Sequence, residues 1–294
     1  MGAPDPEPEA EATSASASAS SNGASADGAG APSEEKLRLG GMALRNGLLI
    51  HGPTSWAAAA RAPGGAIETA SGPKPDFGGN RLAKVPIVRG PVRMAEAFAV
   101  IPIARRSLRS ARLPFEDLRV IGAGVATTLL SAAIRGPGER VGPIREGIVG
   151  ALSLAPALVA LTGSDLAAYH AVEHKAIAGY EQDADPTAVP KEHERCGSNL
   201  IAPMIIFSVA TQVVVDRLVE SPGRLVRGLS SVVGLSLSVE TFVHAEKHPD
   251  SALGRAIHAS GTAIQRLFAT REPSAEQLEV GVAALAAALA AEHG

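Results

Sequence analysis

Residues 164–200 read SDLAAYHAVEHKAIAGYEQDADPTAVPKEHERCGSNL, and no other stretch is as dense in side chains that carry chemistry. Its first half, 165–182, is rich in Ala and other helix formers and opens on an acidic residue, which predicts a helix. On a helix His170 and His174 lie one above the other on a single face, and Glu173 projects beside them. This is the H-x-x-E-H order. Two neutral imidazoles so spaced can chelate zinc, and the carboxylate can take a proton from water at the metal. His193 and Cys196, two more ligand types that zinc favours, follow one loop later. Without a metal the same residues read as a solvated polar face, with Lys175 supplying a salt bridge. The helix opens straight after an apolar run at 148–163, so its polar face is expected to be held against something. The metal reading is preferred.

Outward from this centre, the chain is 294 residues long and close to neutral, with a net charge of −3, so it carries no nucleic-acid footprint. A single cysteine excludes an internal disulfide framework and suits a reducing compartment or a thiolate ligand. Only 3% of residues are aromatic, so a core must be built from Ala, Val, Leu and Ile. Mean hydropathy is nevertheless positive, which points towards membrane lipid as a partner. Residues 1–37 are Ala, Ser, Gly, Pro and acidic residues, too poor in large apolar side chains to fold, and are expected to be a disordered tail.

Residues 38–90 break short apolar runs with Asn46-Gly47, Gly52-Pro53 and Pro63-Gly64-Gly65. These are turn signals at hairpin spacing, and they predict a small β-rich module, too small to be the main core. Residues 91–119 follow as a basic amphipathic helix, with Met94, Phe98, Ile101 and Leu108 on its apolar side and five arginines around the rest. It suits a membrane surface or the β-rich module equally.

Four apolar segments, 120–134, 148–163, 200–215 and 225–243, lie within a region at 120–250 read as a membrane helical bundle bearing the His/Cys loop 164–199. The first three are short of the roughly 20 residues of a span, but charges flank them and leave their interiors free. Ser230, Gly234 and Ser238 recur every four residues, the spacing that lets membrane helices approach closely. Glu240 lies inside the fourth segment, where an unpaired carboxylate is costly, and so joins the candidate ligands. The arginines at 105–119 argue for a cytoplasmic N-terminus and, with four spans, a cytoplasmic 164–199 loop. In the closing segment, 251–294, Ser274-x-x-Gln277 is a capping box. Leu278, Val282, Leu285 and Leu289 make one stripe, able to dock on the body of the protein or on a second copy as a homo-oligomer. The predicted fold class is therefore mainly α: a multi-pass membrane bundle with a small N-terminal β-rich module and a C-terminal amphipathic helix.

Several separated motifs occur in one order: Gly40-Gly41-x-Ala43, Gly47, Gly52-Pro53, Arg89-Gly90, Glu146-Gly147, Tyr169-His170-x-x-Glu173-His174-Lys175, His193-x-Arg195-Cys196-Gly197, Ser238-x-Glu240 and Thr270-Arg271-Glu272-Pro273. With these the chain resembles the YqhQ-like bacterial membrane proteins, a domain-of-unknown-function family described as predicted metal-dependent enzymes. The resemblance implies an integral membrane protein with a polar His/Cys-bearing loop; it implies no known reaction or substrate. The chain departs from that family's pattern at Met42, Asn46, His51 and Glu194.

Two functions follow from the residues. In the first, His170 and His174 ligate zinc or another divalent metal, His193, Cys196 or Glu240 completes the set, and Glu173 is the catalytic base of a hydrolase whose substrate the residues do not name, with peptides as one option. In the second, the metal or polar cluster is a structural tie in a membrane scaffold or assembly factor.

Overall fold

The computed structural model describes residues 36–77, 82, 85–136, 142–162 and 165–294. The expected disordered tail therefore lies outside the described residues except for Lys36 and Leu37. The four strands β1 (Gly40–Leu44), β2 (Gly47–His51), β3 (Ser55–Arg61) and β4 (Ile67–Pro73) form an antiparallel sheet in the order β1-β2-β3-β4. The turns fall where Asn46-Gly47, Gly52-Pro53 and Pro63-Gly64-Gly65 place them. Asn46 does more than turn the chain: its amide donates to the carbonyls of Arg61 and Ser110, each at 2.9 Å, and its Oδ1 accepts from Arg112 N.

This sheet is the centre of a core, which corrects the expectation that the module is too small to be one. One face packs Leu48, Ile50, Ala57 and Ala59 against α5 (Leu166–Gln182) and α9 (Ala275–His293). The other packs Leu49, Trp56, Ala58 and Ala60 against α1 (Arg89–Ser107) and the segment after it. A sheet covered on both faces has no polar side to advertise, so β2 and β3 lack the alternation that marks half-buried strands. Burying each of Leu48, Leu49 and Ile50 contributes about 1.5–3 kcal/mol. The basic helix thus rests on the sheet through Val100, Ile101 and Ala104, while Phe98, expected on its apolar side, is exposed.

The capping box at Ser274 and Gln277 forms as read. The buried stripe of α9, however, is Val280, Gly281, Ala284 and Ala288, and Val282 is exposed. Small residues win because α5 comes so near: a Cβ on Gly281 would lie 2.4 Å from Val172 Cγ1.

The remaining helices up to residue 247 are α2 (Leu118–Arg135), α3 (Pro143–Leu152), α4 (Ala155–Leu161), α6 (Ile201–Leu218) and α7 (Arg224–Lys247). Four helical stretches, Leu118–Arg135, Pro143–Leu161, Gly197–Leu218 and Leu225–Lys247, are long and apolar enough to cross a membrane. The small-residue repeat works as read. At Gly234 an added Cβ would stand 3.2 Å from the Phe207 carbonyl of α6, so the two backbones meet there. Helix α8 (Ala252–Ile264) follows and ends in a π-helical turn, Gln265–Ala269.

Candidate metal centre

Helix α5 is buried over most of its length because it lies between the sheet, α9 and the loop that follows it. It stops at Asp183, which adopts the left-handed conformation (φ 52°) and pairs with Lys36. His170 and His174 stack along it with ring centroids 4.4 Å apart. Each ring is aimed by a backbone carbonyl: Nδ1 of His170 bonds Ala269 O at 2.9 Å, and Nδ1 of His174 bonds Lys191 O at 2.6 Å. A carbonyl only accepts, so both Nδ1 atoms carry the proton and both Nε2 atoms present lone pairs. Nε2 of His174 is buried with no hydrogen-bond partner among the described residues.

Cys196 completes the group. Its sulfur lies 3.3 Å from His170 Nε2, and donor atoms of His170, His174 and Cys196 all lie within 4.8 Å of one another. Zinc bonds of 2.0–2.3 Å in a tetrahedron separate ligand atoms by about 3.5 Å, so the Cys196–His170 spacing already fits and the remainder needs only small side-chain movement. The orphaned nitrogen and the soft sulfur make a donor set that suits zinc.

The other candidates are placed differently. His193 is near, its ring centroid 5.7 Å from that of His174, but both its nitrogens are engaged. Nδ1 accepts from Arg195 N at 3.2 Å and Nε2 faces Glu181 at 3.4 Å. Burial, helped by the neighbouring His174, holds its pKa below the usual histidine range. Glu240 is not brought to the group at all. Its carboxylate takes two hydrogen bonds from Arg89, at 2.8 and 2.5 Å, and one from the backbone of Ile87, itself in the left-handed region (φ 73°).

Glu173 lines the same cavity of about 530 Å³ as His170 and Cys196. Its carboxylate makes no hydrogen bond with a described residue, and burial raises its pKa above the usual carboxylate value, against the opposing pull of His170. A Cβ on Gly41 of β1 would sit 2.8 Å from Glu173 Cγ, so a glycine is what lets the strand pass this close.

Residues that spacing alone did not reveal hold the loop in place. Fully buried Gln265 accepts from His193 N at 2.8 Å and donates to His193 O and Ser198 Oγ. Asn199, also fully buried, donates to Glu194 O and fills the space left by Gly261. Lys175, buried, bonds Val189 O at 2.8 Å and pairs with Glu272 at 3.1 Å.

Residues 164–291 match the family described as "Protein of unknown function (DUF1385)". The match takes in all three clustered ligands and their bracing residues, and it leaves out the sheet. It supports the resemblance to a domain-of-unknown-function family and says nothing of chemistry. No curated protein and no solved structure matches the chain.

Proposed function

We propose that this protein is a membrane-embedded metal-dependent hydrolase acting on peptide bonds, with His170, His174 and Cys196 as metal ligands and Glu173 as general base. One observation carries the reading: two carbonyl-aimed imidazoles and a thiol converge on one point, and one of the converging nitrogens is buried without a partner among the described residues. A divalent ion held there supplies a Lewis acid that acidifies water and polarises a carbonyl. Three protein donors with His193 occupied elsewhere leave a fourth position open, the pattern of catalytic rather than structural zinc. Glu173, in the same cavity and without a hydrogen bond to any described residue, would accept the proton that water releases and return it to the leaving amine. The four apolar stretches support chemistry carried out at a bilayer, and the arginines before α2 favour its cytoplasmic side.

The loop bracing by Gln265, Asn199 and Lys175 favours a second reading, a structural metal in a membrane scaffold. Elemental analysis and peptide hydrolysis by detergent-purified protein separate the two. The hydrolase reading expects about one metal per chain, lost in His170→Ala and His174→Ala. In Glu173→Gln the metal stays and turnover falls by about 10²–10⁴-fold. Protein that binds no metal even when zinc is added back, or that binds it with no turnover for Glu173→Gln to abolish, overturns the hydrolase.

A further inference from the structure

The cavity beside the cluster has a wall that is neither helix nor side chain. Gly41, Met42 and Ala43 of β1 line it, and β1 is an edge strand. The register says where that edge's backbone groups point. A two-residue turn at Arg45-Asn46 makes Leu44 and Gly47 the closing hydrogen-bonded pair, so Met42↔Leu49 and Gly40↔His51 are bonded pairs as well. The bonds from Arg61 N to Asn46 O and from Gly52 N to Ser55 O, both 2.9 Å, fix the same alternation on the other side of β2. The N–H and C=O groups of Gly41 and Ala43 therefore point away from the sheet. No described residue bonds to them.

We infer that the substrate is an extended polypeptide that adds as a fifth strand along β1, and this rests on the hydrolase reading above. Strand addition pairs exposed edge groups with a peptide backbone and leaves alternate side chains to fill pockets. Here the pocket walls beyond the edge are apolar, from Leu154, Leu158 and Leu161 at α4 and from Ile264 and Phe268. A lipid chain would fill that volume but leave the edge donors and acceptors unpaired, which buried backbone rarely tolerates. A bound strand runs its backbone past Glu173, which touches β1 at Gly41, and so past His170 and Cys196 in the same cavity.

The test uses the full-length protein in detergent micelles with a degenerate library of ten-residue peptides. A matched library carries esters in place of every peptide bond and so lacks the backbone donors in either register. Hydrogen exchange across residues 39–44 is read by mass spectrometry beside peptide retention and metal content. The peptide library is expected to slow exchange at Gly41 and Ala43 at least about tenfold, the equivalent of one good hydrogen bond, and the ester library to bind about tenfold more weakly. Ala43→Pro removes only an outward N–H, which an edge strand tolerates, and is expected to weaken retention similarly with metal unchanged. Equal binding of both libraries, no protection by peptides, or the same protection from phosphatidylglycerol vesicles alone overturns strand addition. Because His174→Ala should lose metal yet still protect β1 with peptide, failure of the strand and failure of the metal centre are read separately.

Discussion

In β3, Ala57, Ala58, Ala59 and Ala60 are each 0% exposed, whereas in α2 Leu118, Val125 and Leu129 are 81, 55 and 66% exposed. Both regions are built from aliphatic residues, yet the sheet and its helices turn them inward while the spans turn them out. In the first the hydrophobic effect itself drives packing. In the second the apolar surface is matched to lipid, and helices hold together by close approach, as at Gly234, and by polar pairs. Arg227 meets buried Asp216 at 3.0 Å and Arg135 meets buried Glu146 at 2.8 Å. The lesson is that apolar composition locates a solvent boundary only once burial is known.

The comparison can be broken hardest at Gly47, where a Cβ would fall 2.0 Å from the Ala59 carbonyl oxygen. Gly47→Ala should cost more than about 4 kcal/mol and abolish folded protein on size-exclusion chromatography, while Gly122→Ala in α2, with open space around it, should leave the yield unchanged. Next in size is Val125→Lys, midway along α2. It should lower membrane insertion by about 3 kcal/mol in a translocon assay, a penalty that a water-facing position would not show. His51 sharpens the inward half: burial, with Lys74 adding, lowers its pKa from 6.5 to about 4. Its neutral form stabilises the fold above pH 6.5, and that contribution, up to about 3 kcal/mol, is lost as pH falls from 6.5 towards 4. Melting curves of His51→Gln should show a flatter acid limb. Smallest is Glu240→Gln: its partly exposed pair with Arg89 is worth about 1 kcal/mol or less, and metal content should not change. Loss of metal in that variant would return Glu240 to the ligand set.

What was legible in the sequence follows from this contrast. Helical spacing places His170, Glu173 and His174 without knowledge of the fold, because the three share one element. Cys196 was in view as a second ligand type within one loop. The exclusion of Glu240 depended on Arg89 arriving from 151 residues away to pair with it, which no local pattern encodes. His193 was likewise diverted by Glu181 and by the backbone of its own loop. The sheet's central place was hidden because four consecutive alanines carry weak strand preference and no alternation. The stripe of α9 was legible in part: Leu278, Leu285 and Leu289 do pack against the core, but Val282 is exposed, and the closest contact is made by Gly281, Ala284 and Ala288, which no leucine pattern marks.

Cys196 caps the short turn Gly197–Leu200 that runs on into α6, a continuous helical stretch of 22 residues to Leu218. The two histidines stand on α5, which is anchored to the sheet. The sulfur is therefore fixed to the head of a helix long and apolar enough to cross a membrane, and the imidazoles to a footing on the sheet. A change in bilayer thickness that tilts that helix alters the sulfur–nitrogen separation, so for the metal centre proposed above, zinc titrations in short-chain detergents and in thick native-like bilayers are expected to give different affinities.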